Sequence, residues 1–265
     1  MGIDHLIDLS CPVKDAFGGT EGFVALVKQR GQAEAILQMA RRQGDDRPID
    51  QIKITSRVAR PAGVEEREIS LQELLDAPAP LAVHEQGCSG CPANVEAHPF
   101  SCHGYVGYPI AAEAEKWLLS MLPQSLETTA GKFLVKAIDD FGWDGEHVAG
   151  MREKAKTFFE SDATFSASWG EAERERALDS NTLLEMMFFV GHVQPSHALM
   201  LCLFLGLLPH DIAPGELQRM LGDPKGLREA LRVPVVEDAR VAPLCRFMRA
   251  LATSAWLGKN LIIDG

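Results

Sequence analysis

Three cysteines within fifteen residues give this chain its most specific chemistry. Cys88 and Cys91 lie in the segment Gly87-Cys88-Ser89-Gly90-Cys91-Pro92, and Cys102 follows a short loop later. The two sulfurs of a Cys-x-x-Cys turn can bind one soft or borderline metal ion. Gly90 suits the centre of such a turn because it can adopt positive φ and leave room for N–H···S bonds. The spacing therefore predicts a metal or cluster site held by Cys88, Cys91 and Cys102.

A complete site normally needs a fourth ligand, and Cys11 is the preferred candidate. It ends a predicted strand and precedes Pro12, just as Cys91 precedes Pro92. Cys-Pro pairs are common around iron–sulfur clusters. His103 is the alternate fourth ligand. His84, His98, Cys202 and Cys245 are further candidates for this position.

The ligand pattern favours an iron–sulfur cluster, with zinc as the alternative. Structural zinc commonly uses two Cys-x-x-Cys turns, whereas this chain has one such turn and two isolated cysteines. Four cysteine ligands would close the cluster, which could then brace the fold, sense oxidants or pass electrons. Three would leave one iron open to substrate. A further interpretation is that the cysteines hold no metal and are thiols or a disulfide.

A second group of polar residues interrupts an apolar stretch and defines an alternative function. His192 and His197 lie five residues apart across Pro195, and both could face one pocket with Glu185. The spacing differs from the His-Glu-x-x-His arrangement of zinc proteases. Histidines are often partly buried without binding anything. If the three residues do share a pocket, the chain is a metal-dependent or redox enzyme with its active site in the helical part.

Composition excludes several classes of function. The chain has 265 residues, 46% of them hydrophobic, which is enough to bury a sizeable core. Its net charge of -11, with no basic run longer than Arg41-Arg42, argues against nucleic-acid binding. Polar residues break up the longest apolar stretch, 186–208, which predicts a core helical hairpin and no membrane span.

The chain is expected to be cytoplasmic. Its first five residues lack the basic stretch and apolar core of a secretory leader. In a reducing compartment, cysteines are metal ligands or thiols more often than disulfides. A protein partner fits this setting, and the sequence leaves the oligomeric state open. The second alternative function is accordingly a metal-free interaction or accessory subunit.

The fold predicted to position these residues is α+β. Residues 1–82 read as a small N-terminal β-α-β-β-α part, and 83–108 as a Cys-rich loop module. Residues 109–265 read as a mainly α-helical domain. The N-terminal elements expected are a strand at 6–9, a helix from 20 to about 42, strands near 52–58 and 68–70, and a short helix with a Ser70 capping box.

The helical domain is predicted from apolar periodicity and from capping residues. Five helices are expected at 111–121, 128–141, 146–161, 216–221 and 241–256. Two more are expected between the third and fourth of these, one capped by Asp179 and one that begins near Pro195 and reaches Leu208. A strand is expected at 260–264. In this arrangement the cysteine site would join two differently patterned halves of the chain.

Overall fold

The computed structural model describes residues 2–60, 63–153, 156–169 and 176–264, and for 56–60, 63–65, 169 and 176 it describes the backbone alone. The strands are β1 (Gly2–Ile7), β2 (Lys53–Arg60), β3 (Gly63–Ser70), β4 (His103–Gly107), β5 (Ser166–Trp169), β6 (Arg176–Asp179), β7 (His192–Val193) and β8 (Leu261–Asp264). The helices are α1 (Pro12–Ala16), α2 (Thr20–Arg42), α3 (Leu71–Asp76), α4 (Glu85–Ser89), α5 (Ala112–Ser120), α6 (Thr129–Phe141), α7 (Glu146–Arg152), α8 (Ser180–Phe188), α9 (Pro195–Phe204), α10 (Pro214–Leu221), α11 (Pro224–Ala230) and α12 (Ala242–Leu257).

These elements confirm the α+β class, with a small amount of antiparallel sheet and a mostly helical remainder. They group into two compact units. The larger unit contains Met1–Leu9 and Ser101–Gly265, and the smaller contains Ser10–Phe100. The three-part division at 1–82, 83–108 and 109–265 stays a prediction.

The smaller unit is built around the long helix α2 and the hairpin of β2 and β3. Its core cluster contains Ala33 of α2, Ile52 before β2, and Leu71 and Leu74 of α3. The hydroxyl of Ser70 accepts a hydrogen bond from the Glu73 N–H at 3.1 Å, so the predicted helix cap is confirmed. This cap lets the chain turn from β3 directly into α3.

The larger unit contains a four-stranded antiparallel sheet in the order β4-β1-β8-β7. Strand β1 pairs with β4 and β8, and the hairpin of β2 and β3 forms a separate sheet. Helix α12 packs against β1 and β4. The local sequence pattern predicts a strand at the position of β1. Its pairing partners, β4 and β8, lie about a hundred or more residues further along the chain.

Most of the predicted helices of the larger unit are present, and two are shorter than expected. Helix α9 ends at Phe204 and does not reach Leu208. Helix α7 ends at Arg152, and residues 156–161 are not helical. The backbone there bonds across to Ile110: the Ile110 N–H donates to the Phe158 carbonyl, and the Glu160 N–H donates to the Ile110 carbonyl, both at 2.9 Å. Backbone groups committed to these bonds cannot continue a helical ladder.

The apolar centre of this unit is helical. Helix α9 is buried along most of its length, and it packs against α12 and α6. Cys202 of α9 and Cys245 of α12 are buried among these helices. In the part of the chain that the structure describes, no helix combines the length and apolarity needed to cross a bilayer.

Candidate functional site

Cys88 and Cys91 lie in a turn whose backbone is fixed by hydrogen bonds. Cys88 is in the last turn of α4, so this point of the predicted irregular loop is helical. The Cys91 N–H donates to the Cys88 carbonyl at 2.9 Å, and the Asn94 N–H donates to the Cys91 carbonyl at 3.1 Å. The Asn94 side-chain amide donates to the Cys88 carbonyl at 2.6 Å. These bonds hold the cysteine pair in one local conformation.

The sulfur of Cys88 is a hydrogen-bond acceptor inside this turn. The backbone N–H of Phe100 donates to it at 3.2 Å, and the Asn94 amide nitrogen lies 3.7 Å away. The Cys88 residue is only 7% exposed. The Cys88 sulfur is therefore held in a fixed, polar setting, and cysteine sulfur is a ligand for soft or borderline metals.

Phe100 presents its N–H from an unusual backbone conformation. Its φ is 65°, in the left-handed region, which costs a non-glycine residue about 1–2 kcal/mol. Its buried ring anchors it: Phe23 packs edge-on at 5.9 Å between ring centroids, and the Arg30 guanidinium lies 6.0 Å from the Phe100 centroid. Side-chain packing therefore maintains the backbone geometry that supplies the donor to Cys88.

The other predicted ligands have separate local settings. Cys11 is half-buried just before α1, and Cys91 is also half-buried. Cys102 is buried, and its carbonyl accepts the Ile7 N–H at 3.0 Å beside β4. Within the described ranges, no group of three or more His, Cys, Asp or Glu side chains is placed to hold one metal ion. The four-cysteine set of Cys11, Cys88, Cys91 and Cys102 thus stays a prediction.

His103, the alternate fourth ligand, is paired with a carboxylate. Its Nε2 lies 2.9 Å from Oδ1 of Asp4, and both side chains are nearly buried. Metal-binding histidines commonly use one ring nitrogen for the metal and the other for a carboxylate. The Asp4 contact therefore leaves Nδ1 of His103 as the nitrogen that could act as a ligand.

His5, which the sequence interpretation did not single out, is a buried histidine with no described partner. It is 1% exposed, and neither of its ring nitrogens has a hydrogen-bond partner in the described structure. Its ring packs edge-on against Phe247 at 5.2 Å and covers Gly104, where an added Cβ would lie 2.3 Å from Nε2 of His5. Burial, assisted by the nearby His103, lowers the pKa of His5 to about 3. Extending the predicted first strand back to Gly2 would have revealed a histidine within a buried strand.

A second group missed from the sequence is the buried ion pair of Arg152 and Glu115. Arg152 donates through two nitrogens to the Glu115 carboxylate. Its remaining N–H groups reach Asn181 Oδ1 at 2.5 Å, the Ser161 carbonyl at 2.9 Å and Ser180 Oγ at 3.2 Å. All five donors of the guanidinium are thereby used. The pair has no donor left for a ligand and ties α5, α7 and α8 together.

Glu185, His192 and His197, the candidate active-site residues of an enzyme, have separate roles in the fold. Glu185 accepts the backbone N–H of Gly145 at 2.6 Å, at the start of α7. His192 is exposed on β7, whereas the ring of His197 stacks on Trp143 at 5.6 Å. Burial lowers the pKa of His197. Two cavities, of about 480 and 160 Å³, have none of these three residues in their walls.

Comparison with known proteins gave no precedent for this arrangement. No protein-family model, curated protein or solved structure matches the chain. Function is therefore inferred from the chain's own side chains and their contacts.

Proposed function

We propose that this protein binds a metal ion or iron–sulfur cluster through cysteine thiolates, with Cys88 and Cys91 as the central ligands. The observation that carries the proposal is the hydrogen bond from the Phe100 N–H to the Cys88 sulfur at 3.2 Å. Cys102 and Cys11 are the proposed further ligands, and His103 is the alternate to Cys11. The bound group would brace the fold or sense oxidants in a reducing cytoplasm, where the cysteines stay reduced and available as ligands.

The setting of Cys88 differs from that of an ordinary buried cysteine. Cys202 is fully buried within the apolar helix α9, and burial raises the pKa of its thiol. A cysteine in such surroundings acts as a small hydrophobic side chain. Cys88 is also buried, yet its sulfur faces a backbone donor and a side-chain amide. Polar donors around one sulfur and apolar surroundings at the other support a chemical role for Cys88 and a packing role for Cys202.

Metal analysis after anaerobic purification tests the proposal. We expect about four iron and four sulfide per chain, with a broad absorption shoulder at about 400 nm, if the group is a four-iron cluster. About one zinc ion and no such shoulder are expected if it is zinc. A fully folded protein that contains none of these elements, and takes up none on reconstitution, would contradict the proposal.

Variants of single cysteines then identify the ligands. Cys88→Ala and Cys91→Ala are expected to lose the bound metal, because either change removes one of the two central sulfurs. Cys202→Ala is the matched control and should retain full metal content. Cys11→Ala and His103→Gln distinguish the two candidates for the fourth position. Equal metal content in Cys88→Ala and in the control would exclude Cys88 as a ligand.

A further inference from the structure

Between α11 and α12 the chain passes through a segment, 233–237, whose backbone is unpaired. The segment contains no helix, turn or bend. None of its backbone N–H and C=O groups has a hydrogen-bond partner in the described part of the chain. Three of its five residues are valines, and β-branched residues favour strands. The segment therefore has the composition of a strand but lacks a neighbouring strand.

The residues on either side of the segment show which way its backbone groups point. The Arg232 N–H donates to the buried Leu207 carbonyl at 2.8 Å, and the Asp238 carbonyl accepts two N–H groups at the start of α12, both at 3.0 Å. Along a strand, the N–H and C=O of one residue point to the same side, and successive residues alternate. The even-numbered residues thus face the protein, and the odd-numbered residues of 233–237 present their backbone groups outward.

Pro234 fits this alternation. Because proline has no N–H, it stands in a strand only where no donor is needed. Its even number places the missing N–H on the inner side, so the outer edge keeps every donor. Val235, at the centre of this edge, is 85% exposed, and the side chains of Arg232 and Glu237 are exposed as well. The outer edge is accordingly complete and accessible.

The charges around this edge match those of a second copy of the same edge. If two copies pair as antiparallel strands with Val235 opposite itself, Arg232 of each copy stands opposite Asp238 of the other. Opposite charges in such cross-strand positions are stabilising, and like charges are destabilising. A shift that sets Val235 opposite Glu237 brings Arg232 opposite Arg240, and the opposite shift removes both charge pairs. One register is therefore favoured.

Both members of this charge pair have capacity for the contact. Nη1 of Arg232 donates to the carbonyls of Glu229 and Leu231, and no carboxylate in the described ranges is paired with the guanidinium. Arg240 donates three hydrogen bonds to the Asp238 carboxylate. A carboxylate has about four acceptor sites, so one remains. The Asp238 side chain is 40% exposed, which leaves that site open to a second guanidinium.

We propose that the protein self-associates as a two-fold dimer, in which the 233–237 segments of two copies pair as antiparallel strands. The two-fold axis passes between the two Val235 residues, whose exposed side chains are covered by the pairing. The backbone hydrogen bonds of the outer edge and the two charge pairs hold the copies together. An interface built on so short a strand is small, so we expect a weak, reversible dimer. The inference is independent of the metal site.

Sedimentation velocity of the full-length protein tests the proposal. Between about 5 and 500 µM, we expect a shift from monomer to dimer, as is typical of a small interface. Val235→Asp places two carboxylates together at the two-fold axis, so it should raise the dissociation constant about tenfold or more. Val83→Asp is the matched control, since Val83 is an 81% exposed valine outside this edge, and it should leave the dimer unchanged.

An exchange of charges tests the register. Arg232→Asp and Asp238→Arg each bring like charges together in a dimer of identical copies, so either variant alone should be monomeric. An equimolar mixture of the two variants should dimerise, because each aspartate then faces an arginine in both pairs. Circular dichroism of each variant establishes that it is folded. Rescue in the mixture would show that the two residues meet across copies.

A cysteine at the axis gives a second measurement that leaves the charges intact. Directly opposite residues of a hydrogen-bonded strand pair have Cα atoms about 5.5 Å apart, within the range of a disulfide. Val235→Cys should therefore form a covalent dimer on mild oxidation, whereas Val83→Cys should not. A parent protein that stays monomeric at every concentration would overturn the proposal. A dimer that Val235→Asp leaves intact would do the same, as would a mixture of folded charge variants that stays monomeric.

Discussion

At the scale of single residues, His5 is the least satisfied group in the described structure. A buried imidazole without partners has lost its hydrogen bonds to water and gained none in exchange, which costs about 1–3 kcal/mol per group. Its neighbours Phe247 and Gly104 fix the ring in place without offering a donor or acceptor. Such groups in native proteins call for an explanation by an ordered water, an ion or a chemical role.

Replacing His5 by leucine gives a direct test of this description. The His5→Leu variant should be about 1 kcal/mol more stable than the parent at pH 7, because two unsatisfied polar atoms leave the core. Chemical denaturation with urea measures this difference, and His98→Leu, which changes an exposed histidine, is the control. A loss of more than about 2 kcal/mol in His5→Leu would show that His5 makes a stabilising contact.

The same variant should alter the dependence of stability on pH. The pKa of His5 is about 3 in the folded protein and 6.5 in an exposed chain, so the unfolded state binds the proton first as the pH falls. Stability is therefore lost between about pH 6.5 and 3, by up to about 1.4 kcal/mol per pH unit. His5→Leu lacks this contribution, and its stability should fall less steeply over that window.

Residues whose partners are close in sequence were predictable, and those with distant partners were not. The turn at Cys88 and Cys91 follows from a spacing of three residues. His103 and Asp4 are 99 residues apart, and Arg152 and Glu115 are 37 apart. Nothing in the local pattern around either member of these pairs indicates the other, because their contact is created by the fold.

At the scale of elements, the pairing of β1 with β4 depends on a residue without a side chain. Gly104 stands opposite His5 in the ladder, and the His5 ring occupies the space above it. Any larger residue at this position must displace the ring or separate the strands. The glycine therefore permits a large buried side chain on the neighbouring strand.

A double-mutant cycle measures this interdependence. Gly104→Ala should destabilise the protein by about 1–3 kcal/mol, because the new Cβ would lie 2.3 Å from the His5 ring. In a His5→Ala background the same change should cost less, and the difference is the interaction between the two sites. Gly31→Ala serves as the control, since an added Cβ meets nothing within 4 Å in helix α2. Additive effects in the cycle would contradict the steric explanation.

The beginnings of helices with a side-chain cap, such as Ser70 and Asp179, were predicted well because such caps act over three residues. Asp179 accepts the Thr182 N–H at 2.8 Å at the start of α8, as expected from its position before an apolar run. The end of α7 was placed too late. Phe158 and Glu160, which were expected to be helical, bond instead through their backbones to Ile110, far earlier in the chain. A cap is formed by residues close together in sequence, so it can be predicted. The backbone bonds between Ile110 and the residues after α7 join distant parts of the chain, so they cannot.

At the scale of the whole molecule, the four-stranded sheet joins elements from opposite regions of the chain. Strand β8 lies between β1 and β7, and it pairs with both. The sequence predicted a strand near 260–264 but not its neighbours, since the pairing of two short apolar strands separated by more than two hundred residues leaves no periodic signal.

Removal of β8 should therefore disrupt the four-stranded sheet as a whole, and not only the four residues of the strand itself. A chain that ends at Asn260 leaves β1 and β7 without their shared partner and deletes the buried Leu261 and Ile263. We expect loss of the cooperative urea transition and of the near-ultraviolet circular dichroism signal. Asp264→Ala, which changes the exposed last residue of β8, should retain both. A truncated chain that still unfolds cooperatively would show that the sheet is dispensable.

The position of β8 also has a consequence for biosynthesis. A ribosome makes β1 before every other element described here, and it makes β8 after all of them. Once β4 has been synthesised, β1 can pair with it on one side. The other edge of β1 stays unpaired until β8 has been synthesised. Closing so long a loop is slow, and an open apolar edge invites pairing with other nascent chains. We therefore expect the sheet to be completed only once β8 has left the ribosome, with chaperones shielding β1 in the interval.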